Sequence, residues 1–260
     1  MRLEKIFNEE IKNPEEKSFR KIENDSSMFD EILAFLKNEG YKKTKIKGVS
    51  KLECYFLNTM DFLKNFNITN DIPRKFLERV ENFKYKKEKI FANEGLTIML
   101  SALIQTSYNQ GHNLFEFGDV YVNNFGMFLK GKRTRPMKIK ARKLNGVAGF
   151  LEVKNYIFEA EEVESDDFGF CSQNFKVFCK KFKGRMTFKF SSHGEFKTKE
   201  FDGNWAFLIS GHHTIEIENY NGEHFGESLN NSIIYSKNKE TLGILKKQST
   251  GEDNEFYIKN

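Results

Sequence analysis

The spacing of apolar residues is helical in the first 107 residues and changes afterwards. Four runs, at 28–39, 52–66, 73–83 and 95–108, repeat apolar side chains every three or four residues, as amphipathic helices do. The last run is apolar almost all round, which is typical of a helix buried on every side. We therefore predict a helical domain over residues 1–107, whose final helix caps the structure that follows.

After residue 108, short runs with β-strand character recur at a fixed interval, which indicates an internal repeat. Gly146, Gly184, Gly203 and Gly222 are separated by multiples of 19 residues. Cutting the chain at that interval gives seven rows that share one apolar column: Val120, Ile139, Phe158, Val177, Phe196, Ile215 and Ile234. Two positions later, every row has a small or apolar residue.

This repeat predicts a β-solenoid, because alternate strand residues point to one face and stacked coils place like residues in columns. The fold class is then α+β: a helical domain, followed over residues 108–247 by a solenoid of six to seven coils of about 19 residues. Residues 248–260 form a tail that we expect to fold back over the open end through Phe256 and Ile258, because an exposed strand edge invites aggregation.

Two further columns fit the same register. Three residues before the apolar column, the rows carry Asn or His, which favour left-handed backbone, so we predict a corner ladder: Asn155, Asn174, His193, His212 and Asn231. At several rungs, the outward strand positions carry opposite charges on neighbouring coils, such as Lys140 beside Glu159. Such pairs stabilise neighbouring strands by a few tenths of a kcal/mol each.

Composition bears on whether the protein crosses a membrane and on which cellular compartment it occupies. Of 260 residues, 38% are hydrophobic and 30% charged, and no apolar stretch approaches the roughly 20 residues that a membrane span needs. The first ten residues contain no secretory h-region. Three cysteines without a CxxC pair are typical of a reducing compartment, so we expect a cytoplasmic protein. The net charge of +5 is mild, and the 28 phenylalanines predict a Phe-rich core.

The rows GNWAFLISGHHTIEIENYN and GEHFGESLNNSIIYSKNKE resemble coils of the right-handed β-helix at the C-terminus of the glutamate synthase large subunit, and of a similar domain that forms part of formylmethanofuran dehydrogenase. The resemblance covers about residues 120–240. Here Asn or His mostly replaces the paired glycines of that family. The resemblance implies a right-handed β-helix that acts as a non-catalytic scaffold. The residues that follow the family rhythm are Gly203, Trp205, Ile215, Ile217, Asn219, Gly222, Phe225, Gly226, Ile233 and Ser236.

The strongest basic cluster is the run KGKRTRPMKIKARK at 130–143, which could contact nucleic-acid phosphates. The candidate contacts are Lys130, Lys132, Arg133 and Arg135. The alternative is that the later cations of the run, Lys140, Arg142 and Lys143, stack beside Glu159, Glu161 and Glu162 on the next coil.

Other chemistry finds weaker support in the sequence. His193 and His212 lie one coil apart and could share a metal, but tightly spaced Cys and His pairs are absent, so the corner ladder is favoured. Carboxylates at 159–164 and 166–167 suggest a β-helical glycosidase or polysaccharide lyase, although such sites need longer coils. Nucleotide, zinc-protease and serine-hydrolase motifs are missing. We assign no catalytic, cofactor or metal residue.

These observations favour a non-catalytic scaffold or protein-interaction module, with an unidentified protein partner or self-association and no membrane. The first alternative is a nucleic-acid-binding protein that uses the basic loop at 130–143. The second is a carbohydrate-active β-helix enzyme, which would require a deep acidic groove along the solenoid.

Overall fold

The computed structural model describes residues 25–42, 46–82 and 94–259, in which a helical domain precedes a parallel β-solenoid. The first 24 residues of the predicted helical domain lie outside the described residues. In the ranges that are described, no helix combines the length and the apolarity needed to cross a membrane.

The helical domain is built around one fully buried helix. Its helices are α1 (Asp25–Lys37), α2 (Lys51–Leu63), α3 (Ile72–Asn82) and α4 (Glu94–Asn109). Ser50 caps α2, because its side chain accepts a hydrogen bond from the Glu53 amide. Every residue of α4 from Gly95 to Tyr108 is buried, which confirms the burial predicted from its sequence.

Helix α4 is buried because it lies between the other helices and the first coil of the solenoid. On one side, the Thr106 hydroxyl lies 3.3 Å from the sulfur of Met60 in α2. On the other side, the Gln105 amide donates to the carbonyl of Lys130 over 3.3 Å. The helical domain therefore covers this end of the solenoid.

In the described residues, nine parallel strands form one sheet in the order β1, β3 and onward to β9, with β2 also paired to β3. The fold class predicted from the sequence is confirmed. The strands are β1 (Leu114–Glu116), β2 (Asp119–Val120), β3 (Met137–Asn145), β4 (Lys154–Glu164), β5 (Gln173–Lys183), β6 (Ser192–Asp202), β7 (Thr214–Asn221), β8 (Ile233–Ser236) and β9 (Glu255–Ile258).

The 19-residue register holds from β3 to β8, but the first coil departs from it. Ile139 pairs with Phe115 and not with Val120, and Val120 pairs with Leu144. The assignment of Val120 to the column of Ile139 was wrong because the first coil contains five additional residues. They belong to the basic loop, which folds outward with an antiparallel bridge between Lys132 and Arg135.

The interior is filled by a continuous chain of phenylalanine rings: Phe150, Phe168, Phe188, Phe207 and Phe225. Successive ring centroids are 4.8 to 5.6 Å apart. These rings occupy two adjacent columns, and a small residue fills the neighbouring position beside each ring: Gly149, Gly169, Thr187, Ala206 and Gly226. A large residue beside a small one fills each layer without overlap.

At several rungs of the outward face of the sheet, opposite charges lie on neighbouring coils, whereas Lys180 and Lys199 place like charges side by side. Lys140 pairs with Glu159 over 3.5 Å, and Lys176 pairs with Glu195 over 2.6 Å, each one coil apart. Single exposed pairs of this kind contribute about 0–1 kcal/mol. Their collective effect is to leave the face close to neutral.

The five residues of the corner ladder all have left-handed backbone. Their φ angles lie between 50 and 59° at Asn155, Asn174, His193, His212 and Asn231. The ladder turns the chain into each strand.

The far end of the solenoid is covered by a fifth helix, α5 (Lys239–Gln248), which interrupts the last coil. Leu245 of α5 is fully buried, and the Gln248 side chain accepts from the Phe225 amide over 3.0 Å. After α5 the chain returns as β9, in which Phe256 pairs with Ile234. The tail adds a strand to the sheet while α5 covers the core.

The corner after the strands holds Gly146, Gly184, Gly203 and Gly222, with Ser165 after β4, and successive coils touch there. A Cβ on Gly203 would overlap the carbonyl oxygen of Gly184. We expect Gly203→Ala to lower the free energy of unfolding by about 2–3 kcal/mol through this overlap, measured by urea denaturation. Gly243→Ala in α5, where a Cβ would meet no atom within 4 Å, is the control. It should leave stability unchanged or raise it by up to about 1 kcal/mol.

His213 is buried in the interior as a neutral ring. Its Nδ1 accepts from the Gly194 amide over 3.0 Å, and its Nε2 lies 3.2 Å from the Ser191 hydroxyl. Burial lowers the pKa of His213 from 6.5 to about 4. The unfolded chain therefore takes up a proton at a higher pH than the folded chain, and stability falls as the pH drops between these values.

We expect wild-type protein to lose about 3 kcal/mol more stability than His213→Gln between pH 6.5 and pH 4, measured by chemical denaturation across that range. Gly243→Ala, where the added Cβ meets no atom within 4 Å and no titratable group changes, should keep the wild-type pH profile. An unchanged profile in His213→Gln would show that His213 is not the group responsible.

Candidate interaction surface

The basic loop is tied to helix α4 by its backbone and by Arg135. The Arg135 guanidinium lies 4.6 Å from the centre of the Tyr108 ring and donates to the Tyr108 carbonyl over 2.9 Å. The Tyr108 hydroxyl donates to the Arg135 carbonyl over 2.6 Å and accepts from the Lys132 amide over 2.8 Å. The Lys130 amide donates to the Gln105 side chain over 2.7 Å. Arg135 is therefore a structural contact, while the side chains of Lys132 and Arg133 are exposed.

Strand β3 contains the second part of the basic run, and three of its cations form ion pairs with carboxylates on neighbouring coils. Lys140 pairs with Glu159, and Lys143 pairs with Glu162 over 3.3 Å, as the stacking alternative predicts. Arg142 instead pairs with Asp119, on the preceding coil. Nucleic-acid affinity grows with the number of phosphates neutralised, and three of the four cations of this strand are paired, while Lys138 is exposed like Lys132 and Arg133 of the loop.

The histidines are not gathered into one cluster. The rings of His193 and His212 stack 4.8 Å apart on the corner, while His213 points inward. His224 stacks on Trp205 at 3.9 Å and lies 2.7 Å from the Glu227 carboxylate. Across residues 25–42, 46–82 and 94–259, no three His, Cys, Asp or Glu side chains are placed to hold a metal ion.

A groove of about 490 Å³ runs along the corner after the strands, and the residues that line it include Gly184, Glu164 and Asp166. Glu164 accepts from Asn145 over 3.1 Å and pairs with Lys183. Asp166 accepts from the Arg185 amide over 2.7 Å. Each of these bonds joins neighbouring coils, so both carboxylates contribute to stacking.

The two half-buried cysteines have thiols that resist ionisation. Burial raises the pKa of the Cys179 thiol to about 12. Burial and the nearby Glu152 carboxylate raise the pKa of Cys171. A cysteine nucleophile needs the opposite shift, because the thiolate is the reactive form.

One exposed apolar cluster stands out on the arm of the coil opposite the strands. Met186 and Phe190 lie in one coil, and Trp205 and Ile209 occupy the equivalent positions in the next. Their exposed fractions are 39, 44, 38 and 57%. We call these four residues the apolar flank. Met186 stands next to Trp205, and Phe190 next to Ile209, on adjacent coils, and exposed apolar side chains that adjoin one another are typical of an interaction site.

All four residues of the apolar flank have left-handed backbone, with φ between 47 and 61°. The inter-coil hydrogen bonds impose this conformation: the Met186 amide donates to Asn204 in the next coil over 3.0 Å, and the Phe190 amide donates to Leu208 over 3.0 Å. A left-handed conformation costs a non-glycine residue roughly 1–2 kcal/mol, and β-branched residues such as Ile209 tolerate it least. Apart from the ring contacts of Phe190 with Phe170 and of Trp205 with His224, inter-coil packing therefore does not explain large apolar side chains here.

The apolar flank was not found from the sequence, although a signal was present in its rows. The two exposed columns hold mostly small or polar residues in the other coils. These residues are Ala148, Asp167 and His224 in one column, and Glu152, Cys171 and Ser228 in the other. In the rows that contain Met186 and Trp205, both of these columns hold large apolar residues, and this change would have identified the flank. The repeat was defined from the strand columns alone, so the change was not used.

The contacts of Arg135 lead to a stability prediction. Arg135→Ala should lower the free energy of unfolding by about 1–3 kcal/mol, because the hydrogen bond and the ring contact to Tyr108 are lost. The exposed neighbour Arg133→Ala is the control and should change stability by less than about 0.5 kcal/mol. Equal stability of the two variants, measured by urea denaturation, would contradict the structural role of Arg135.

Comparison of the chain with protein-family models, with curated proteins and with solved structures finds no match. The resemblance to the β-helix domain of glutamate synthase consequently depends on the repeat residues alone. What the chain does has to be inferred from its surfaces.

Proposed function

We propose that the chain is a non-catalytic protein-interaction module, in which the apolar flank binds an apolar surface on a protein partner. The observation that carries the proposal is the exposure of Met186, Phe190, Trp205 and Ile209 on adjacent coils of a solenoid whose sheet face is covered by paired charges. Aromatic residues and Met are enriched in protein interfaces, and Trp is frequent among the residues that dominate binding energy.

The rigidity of the surface supports the same proposal. Each flank residue is held by inter-coil hydrogen bonds, and Trp205 is stacked on His224 with a 5° angle between the ring planes. The backbone bonds fix where each side chain starts, and the ring contacts of Trp205 with His224 and of Phe190 with Phe170 order these two side chains, which then lose less entropy when they bind.

The two alternative functions receive less support. Binding of nucleic acid through the basic loop would rely on Lys132 and Arg133, because Arg135 contacts Tyr108. A carbohydrate-active site in the groove would rely on Glu164 and Asp166, which are hydrogen-bonded between coils.

The role of the flank can be tested by substitution, because the loss of its apolar side chains should abolish partner binding without lowering the stability of the fold. We expect the double variant Phe190→Asn with Ile209→Asn to keep its stability or gain up to about 1 kcal/mol, because Asn tolerates left-handed backbone better than either residue. The same variant should fail to recover a protein partner that wild type recovers in stoichiometric amount from nuclease-treated lysate. A clear loss of stability in this variant would assign the flank a structural role.

Two controls separate this proposal from its alternatives. Val147→Asn changes an apolar residue that is 51% exposed but lies outside the flank, and it should still recover the partner. Lys132→Glu with Arg133→Glu should also recover it. Recovery that depends on these two cations and disappears with nuclease would overturn the proposal in favour of nucleic-acid binding.

A further inference from the structure

The last strand of the solenoid has an edge that no described residue pairs. Strand β9 hydrogen-bonds to β8 on one side: the Glu255 amide donates to Ser232 over 2.9 Å, and the Lys259 amide donates to Ser236 over 3.0 Å. Backbone groups of successive strand residues alternate in direction, so the N–H and C=O groups of Phe256 and Ile258 point away from β8. Such an edge is a template for another strand.

The two ends of the solenoid differ in how they are covered. At the first end, α4 lies against the coil through Gln105 and Lys130, and the Asn70 side chain donates to the Leu114 carbonyl of β1 over 3.3 Å. At the far end, α5 covers the core while β9 extends the sheet beyond it. A second copy that meets this edge with its own β9 gives a closed two-fold arrangement and no open fibre.

We propose that two copies of this chain associate by antiparallel pairing of their β9 strands about a two-fold axis at Tyr257. In this register, Phe256 and Ile258 of the second copy exchange the free backbone hydrogen bonds with Ile258 and Phe256 of the first. Residues that exchange both bonds lie directly opposite each other in an antiparallel ladder. The inference is independent of the proposed function, since the apolar flank lies on another part of the surface.

In this register, the charged side chains of one β9 strand lie opposite side chains of the opposite charge on the β9 strand of the second copy. Glu255, at the start of the strand, lies opposite Lys259 of the second copy, and the reverse pair forms on the other side of the axis. Opposite charges facing each other across strands stabilise the pairing. In the single chain Glu255 accepts from the Tyr257 hydroxyl over 2.5 Å, and Lys259 pairs with Glu216 over 2.5 Å. Both side chains are exposed and can make the additional contact.

The apolar residues of the edge are also exposed without a second copy. Tyr257 is 46% and Ile258 41% exposed, which places both among the exposed large apolar residues of the described chain. Tyr257 already stacks on Tyr235 at 5.7 Å, so the two-fold pairing would extend this aromatic column into the second copy. Pairing would cover Phe256 and Ile258 with their own counterparts.

The test is the mass of the full chain by analytical ultracentrifugation over a range of concentrations. Wild type should reach twice the chain mass of 30.5 kDa as the concentration rises. Ile258→Pro removes an outward-facing amide without touching the bonds to β8, and should sediment as a monomer. Ile209→Asn, on the flank, should dimerise like wild type, which separates this inference from the proposed function.

Charge variants test the register itself. Glu255→Lys and Lys259→Glu each place like charges opposite each other in a homodimer, so each variant should be monomeric. Because Lys259→Glu also replaces the ion pair with Glu216 of the same chain by two carboxylates, circular dichroism and urea denaturation both have to confirm that it is folded. Mixing the two should restore a one-to-one dimer, because both facing pairs then become Lys opposite Glu. A monomeric wild type at every concentration, a dimer that survives Ile258→Pro, or a folded mixture that stays monomeric would overturn the proposal.

Discussion

Hydrogen bonding between stacked coils is the constraint on which the rest of this structure depends. On the strand side it is an ordinary parallel ladder. On the opposite arm, alternate residues are left-handed, and their amides bond in turn to the next and to the preceding coil: Met186 donates to Asn204, and Phe188 donates to Phe168. Both arms are thereby held at the same spacing, so each residue stands above its counterpart in the previous coil.

Stacking of the coils restricts the residue type at most positions of the repeat. Glycine is needed where the corner of one coil touches the next, as at Gly203, and the phenylalanine chain needs a small residue beside each ring. At several rungs of the sheet face, opposite charges lie on neighbouring coils and stabilise the stacking, as the pairing of Lys176 with Glu195 illustrates. The apolar flank and the outer edge of β9 are the features that stacking does not explain, and for that reason they carry the functional proposals.

The departures from the regular interval lie at the two ends of the repeat. The five extra residues of the first coil form the loop that docks on Tyr108, and α5 enters the last coil to cover its core. Both insertions help to cover the ends of the solenoid. The loop contacts helix α4, which covers the first end, and α5 is itself the cover of the far end. Arg135, which resembles a nucleic-acid contact in the sequence, belongs to this closure.

The sequence by itself determined the helical domain, the buried helix α4, the 19-residue register from β3 to β8 and the left-handed corner, because each depends on a local period or on a residue type with a strong backbone preference. It could not place Val120, whose register depends on where a loop leaves the coil. It could not show that Arg135 is held by Tyr108, that His213 is buried as a neutral ring, or that four apolar side chains share one flank. Those facts depend on which distant residues meet in space, and only the tertiary structure decided them.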